Sequence, residues 1–91
     1  MRLDLYLKTS RLVKRRTVAK ELCEAGRVLV NGRVGQPSRD VRIGDRVTVW
    51  YSSRTIEVEV LQTPERAGKQ VADQLYRVVA DLRTPVENIE P

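Results

Sequence analysis

Residues 15–34 read RRTVAKELCEAGRVLVNGRV, and the change of rhythm inside that stretch decides the fold. Over its first half Val18, Ala19, Leu22 and Cys23 recur three and four apart, the spacing that lines one face of an α-helix. Lys20, Glu21 and Glu24 take the opposite face, which predicts a helix over 15–25. Gly26 follows at once and stops it, because glycine enters the left-handed conformation that closes helix C-termini. From there the period drops to two, with Val28 and Val30 alternating with Arg27 and Leu29. Asn31-Gly32 then supplies both positive-φ positions of a type I′ turn, a strong hairpin signal. Val34 begins the return strand.

Working outward, Leu3, Tyr6 and Leu7 predict a short helix over 3–8. Asp4 lies in its first turn, where a carboxylate suits the helix dipole. Residues 9–14 form a polar, basic connection with Leu12 and Val13 available as plugs. Downstream, Gly35-Gln36-Pro37-Ser38 breaks the return strand, since proline cannot donate to a ladder. Val41 and Ile43 lead into a Gly44-Asp45 turn. Val47, Val49 and Tyr51 alternate with Thr48 and Trp50. After a Ser52-Ser53-Arg54 turn, Ile56, Val58 and Val60 alternate with Glu57 and Glu59. Residues 62–69, which include Pro64 and Gly68, read as a linker. Val71, Leu75, Val78, Val79 and Leu82 recur at helical spacing and predict a C-terminal amphipathic helix over 70–83. Pro85 ends it, and 84–91 is expected to be a frayed tail.

The 91 residues fit one domain, and a chain of this size buries only about 60–65% of its unfolded surface. Charge is the strongest compositional signal. Residues 1–50 carry twelve Lys and Arg against five Asp and Glu, a net of +7; residues 51–91 carry five against seven, a net of −2. That asymmetry favours a polyanion partner for the first half over a generic solvated basic face. Cys23 is the only cysteine and histidine is absent. An internal disulfide, a Ser-His or Cys-His pair and a structural zinc site are thereby excluded. No Walker or Rossmann glycine spacing occurs, and Glu57 and Glu59 fall on a solvent face. The chain is expected to be no enzyme, to need no cofactor or metal and to take no small-molecule substrate. No apolar run approaches a signal peptide or a membrane span, so a cytoplasmic protein with no membrane partner is expected.

Lys8, Arg11, Lys14, Arg15 and Arg16 fall within nine residues. Three consecutive cations at a helix start oppose the helix dipole. A docked phosphate would reverse that problem, because exposed N–H groups and guanidiniums would act together; a solvated basic loop is the plainer alternative. Arg27, Arg33, Arg39, Arg42 and Arg46 could extend the same face. Trp50 either stacks on a base or packs under the C-terminal helix, and packing is the preferred reading. Tyr6 and Cys23 read as core.

Taken in order, Arg2-Leu3-Asp4, Leu7, the basic run ending in Arg16, Ala19, Leu22, Gly26, Val28, Val30-Asn31-Gly32, Val34, Pro37-Ser38, Val41, Gly44-Asp45 and Val47 resemble the S-four RNA-binding domain. That family is named after the fourth small-subunit ribosomal protein, and the resemblance covers residues 2–50. It implies an α+β fold of two N-terminal helices packed on a small antiparallel sheet, here over 1–61, with the C-terminal helix added. It also implies that the two-helix face binds structured RNA through Arg2, Lys8, Arg11, Lys14, Arg15 and Arg16, with Arg33 and Arg39 as further contacts. Many members have Ser or Thr where Arg15 stands, as a helix cap. Thr17 is too far in to replace it, so the second helix is expected to start ragged or one residue later.

Among stand-alone members the chain is similar to the RqcP type of ribosome-associated quality-control factor, from Arg2-Leu3-Asp4 and the run Ser10 through Glu21. That similarity implies binding to stalled large ribosomal subunits carrying peptidyl-tRNA. There the factor would contact large-subunit ribosomal RNA and steady P-site tRNA while RqcH on the same particle adds an alanine tail. A monomer is expected. The runner-up is the heat-shock type that binds blocked large subunits, whose members usually carry a longer basic tail than the one ending in Glu87 and Glu90. A ribosome-assembly module and a domain split from a pseudouridine synthase are further alternatives.

Overall fold

In the computed structural model, residues 1–63 and 74–83 are described. Two helices, α1 (Leu3–Thr9) and α2 (Arg16–Glu24), are followed by β1 (Val28–Val30), β2 (Arg33–Val34), β3 (Arg46–Trp50), β4 (Arg54–Val60) and β5 (Tyr76–Arg83). The strands form one antiparallel sheet in the order β2-β1-β3-β4-β5. The α+β class and the two helices on an antiparallel sheet follow the expectation. The sheet is larger than expected, and the reason lies at its C-terminal edge.

The predicted helix over 70–83 is not formed where the chain is described: Tyr76–Arg83 is strand β5, paired with β4 from Val60↔Tyr76 to Arg54↔Arg83. A register shift sits opposite Glu57 and Val58, where Val58 faces Val78 and Glu57 faces Ala80. Val79 is thus an extra residue, a β-bulge that swaps the strand's two faces midway. The swap puts Val78 and Val79 side by side and turns a period-two pattern into one that imitates 3.6. Residues 70–73 of the expected helix, 64–69 of the expected linker and the expected tail 84–91 lie outside the described residues.

Local signals position the rest. α1 begins with its first N–H groups satisfied from outside: Leu3 donates to the Arg39 carbonyl at 2.8 Å and Asp4 to the Pro37 carbonyl at 3.1 Å. Helix starts need such partners. α2 begins at Arg16 behind Arg15, one residue later than first read, with no side-chain cap. It ends before Gly26 at φ +77°, and Asn31 and Gly32 at φ +53° and +85° make the predicted tight turn. At Gly35 a Cβ would stand 2.6 Å from Leu3 Cδ2, so a bare glycine lets the hairpin close against α1.

One cluster fills the space between helices and sheet. Leu3, Tyr6 and Leu7 of α1, Ala19 and Cys23 of α2, and the plugs Leu12 and Val13 meet Val28, Val30, Val47, Val49, Val58 and Val60. Leu75 joins them, and its carbonyl accepts the Tyr6 hydroxyl at 2.8 Å and the Leu61 N–H at 2.8 Å. Burial raises the Tyr6 phenol well above its ordinary value and pushes the Cys23 thiol up to about 11, with Asp4 and Glu24 adding to the latter. Cys23 is therefore a packing residue. Two apolar assignments are corrected. Val18 is 40% exposed rather than part of the α2 stripe, which consists of the buried Ala19 and Cys23 and the partly buried Leu22. Trp50 is 47% exposed on the helix-free side of the sheet, because β5 occupies the place of the helix expected to cover it.

Candidate RNA interface

Asp4 organises the charged surface. Its carboxylate is almost wholly buried, 2% exposed, at the start of α1. It accepts the Leu5 N–H at 2.7 Å and both Nε and Nη2 of Arg2, at 3.2 and 3.3 Å. Arg16 Nε lies 3.4 Å from Oδ2, the oxygen that also accepts Arg2 Nη2. A buried carboxylate is costly unless paired, and here the pairing fixes two guanidiniums from different helices side by side. Both remain half exposed, at 52% and 47% of their side-chain surface. By its place in the first turn of α1, Asp4 is expected only to suit the helix dipole; the structure adds the two ion pairs. The Arg2-x-Asp4 spacing was a usable signal for the first pair; the second spans twelve residues and needs the fold.

Around this clamp the chain places further cations. Lys8 closes α1, Arg11 and Lys14 lie in the connection, and Arg15 stands at the N-cap of α2; all four are exposed. None makes an ion pair among the described residues, whereas Arg42, Arg46, Arg54 and Arg77 each do. Arg11 holds a positive φ of 63°, a region that non-glycine residues seldom occupy. Arg39 is brought beside Arg2 by the backbone: Arg2 bridges Asp40, the Met1 carbonyl accepts the Val41 N–H, and the Met1 ammonium binds Asp40 at 2.8 Å. That ammonium, and Arg42 after it, hold the Asp40 carboxyl below its ordinary value. Arg33 stands apart. It lies on edge strand β2, and no hydrogen bond or ion pair of its side chain ties it to the other cations.

The arrangement is a cationic surface over the two helix starts and their connection, backed by an apolar core. Clustered, exposed cations of this kind are suited to neutralising phosphates. Among the described residues no three His, Cys, Asp or Glu side chains stand close enough to hold a metal ion. No helix there is long and apolar enough to cross a membrane.

Residues 1–47 match the family model of the S4 (S-four) domain. The chain is 42% identical over 84 residues to the RQC P-site tRNA stabilizing factor of Listeria monocytogenes, covering 92% of this chain and 91% of that one. It is 40% identical over 81 residues to the factor of the same name in Bacillus subtilis, covering 89% and 94%. The structure superposes on that of heat shock protein 15 from Vibrio cholerae, described as trimeric, with a TM-score of 0.80 and 32% identity over 88% of this chain and 82% of that one. The chain belongs to the S4-domain family, in the group that contains the RQC P-site tRNA stabilizing factors.

Proposed function

We propose that this protein is a non-catalytic, cytoplasmic RNA-binding factor of ribosome-associated quality control. It binds a stalled large ribosomal subunit carrying peptidyl-tRNA, contacts ribosomal RNA and tRNA together, and steadies the tRNA in the P site. The single observation that carries the reading is the Asp4-clamped pair Arg2 and Arg16 beside four cations with no protein partner among the described residues. Arginines fixed in place lose little freedom on meeting phosphate and can bind it bidentately. Recognition by shape and phosphate suits folded RNA, whose deep groove hides its bases. The relatives' name, RQC P-site tRNA stabilizing factor, supports the quality-control setting and the tRNA position. In this reading Arg2, Lys8, Arg11, Lys14, Arg15 and Arg16 are the main contacts, Arg39 flanks them and Arg33 is peripheral. The factor acts as a monomer, beside RqcH, during C-terminal alanine tailing.

The heat-shock-type alternative draws on the fold likeness to the Vibrio protein, at lower identity than the quality-control relatives show. The test is co-sedimentation of the tagged protein with ribosomal particles, wild type beside Lys14→Ala/Arg15→Ala. These two positions are chosen because, unlike Arg16, they do not support the buried Asp4. Wild type travelling with large subunits that contain tRNA, and the variant left at the top of the gradient, is the expected result. Wild type remaining at the top would remove the ribosome as partner. Binding to all large subunits regardless of tRNA would favour an assembly role.

A further inference from the structure

We propose that the cleft between the α1–α2 connection and the β4–β5 end of the sheet receives one unstacked nucleotide of the bound RNA. The inference rests on the RNA-binding reading above and deepens it by giving that RNA a specific anchoring point.

The cleft measures about 460 Å³ and is lined by Arg11, Leu12, Tyr51, Arg54, Ile56 and Tyr76, with Ser53 at its edge. Only Arg11 and Leu12 belong to the residues that match the S4 domain. The remaining walls come from the part of the sheet beyond that match, so the cleft is an addition to the shared domain and not a part of its two-helix face.

Its composition points to a base. Leu12 and Ile56 are buried and give it an apolar floor. Tyr51 and Tyr76 are half-buried against the core and leave part of each ring in the cleft. Tyr51 is anchored, since its hydroxyl donates to the Leu12 carbonyl. Arg54 is fixed too: its Nε and Nη2 donate to the two Asp81 carboxylate oxygens at 2.9 and 2.7 Å. Arg11 reaches the cleft from the opposite wall on a left-handed backbone, exposed and without an ion pair among the described residues. Ring surface for a base beside a free cation for its phosphate is the combination by which proteins hold single-stranded nucleotides with little regard to sequence. A peptide would use the apolar floor but leave Arg11 unanswered.

The ring contribution and the phosphate contribution separate in a binding experiment with the full chain. Two fluorescent RNA hairpins of identical stem are compared by anisotropy, one fully paired and one with a single bulged nucleotide. Wild type is expected to prefer the bulged hairpin by about fivefold or more, the low end for one base–aromatic stack. Tyr76→Leu keeps the packed bulk and removes the ring, and Ser53→Glu sets a negative charge at the exposed mouth. Each is expected to lower bulged-hairpin affinity to that of the paired stem, while melting at the wild-type temperature. Equal, salt-sensitive binding of both hairpins by wild type, or a preference that survives both variants, overturns the subsite and leaves the RNA-binding reading in place. Salt-sensitive binding of neither hairpin overturns that reading and the subsite with it. Displacement of the bulged hairpin by an equimolar free nucleoside monophosphate would make a small nucleotide the occupant and overturn RNA as its source.

Discussion

From the end of α1 through the connection to the start of α2, Lys8, Arg11, Lys14 and Arg15 stand with no carboxylate partner among the described residues. Across the β3–β4–β5 part of the sheet, Arg46 pairs with Glu57, Arg54 with Asp81 and Arg77 with Glu59. Register explains the second region. Antiparallel pairing sets Glu59 between Arg46 and Arg77 on neighbouring strands, so alternation alone delivers opposite charges to adjacent places. In the first region the cations follow one another along the chain and the acidic residues lie elsewhere, Asp4 excepted. Arg46, Arg54 and Arg77 are answered within the protein; the cations from Lys8 to Arg15 are left for a ligand. Asp4 marks the border, holding Arg2 and Arg16 without covering them.

The sharpest way to break this contrast is Asp4→Ala. It removes the acceptor for the Leu5 N–H and leaves Arg2 and Arg16 repelling each other. A loss of about 2–3 kcal/mol of folding stability is expected, the upper part of the range for losing hydrogen bonds to a buried charged group. RNA affinity should fall despite the gain of net positive charge. A denaturant titration and a binding isotherm measure the two; tighter RNA binding would show that charge total, not placement, governs. Next in size, Lys14→Ala/Arg15→Ala should leave stability within about 0.5 kcal/mol. It should weaken RNA binding roughly tenfold and lower the slope of log affinity against log salt by about 2, one per lost phosphate contact. An unchanged slope would place both side chains off the RNA.

The core beneath both regions gives a pH signature. The folded state raises Cys23 from 9.0 to about 11 and raises Tyr6 above its ordinary 10.0. Both groups stay protonated in the folded protein where the unfolded chain has begun to ionise, so stability is full below pH 9 and declines as pH rises toward 11. A melting temperature flat from pH 7 to 9 and falling above it is expected, with Cys23 resisting alkylation at pH 8. Rapid alkylation there would mean that α2 opens readily. The smallest effect belongs to the sheet: Arg46→Ala should cost about 0.2–1 kcal/mol, as exposed ion pairs do, and leave RNA affinity within twofold.

What the sequence made legible follows the reach of its signals. Gly26, Asn31-Gly32 and the alternation through Val47 and Val49 and through Ile56 to Val60 act over a few residues, and the elements they predict are present. Strand β5 was misread because its bulge at Val79 hides alternation, and a pairing partner sixteen or more residues away leaves no local trace. Trp50 was misplaced by the same error. The basic run was visible because it is contiguous. The clamp that positions Arg16 beside Arg2 depends on Arg16 meeting Asp4 across two helices, which only the packing of α1 on α2 brings about.

The sheet order leaves β5 as an outer strand among the described residues, eight residues long with Val78 half exposed and Leu82 more so. A regular strand of that length offers its free ladder to any passing chain, the first step of self-association. The kink at Val79 interrupts that ladder, and Arg77 and Asp81 set charge on either side of it. The irregularity that disguised the strand in the sequence thus acts as a guard against polymerisation. Deleting Val79, which would straighten β5, is expected to bring concentration-dependent aggregation before it brings any loss of the helix-start surface.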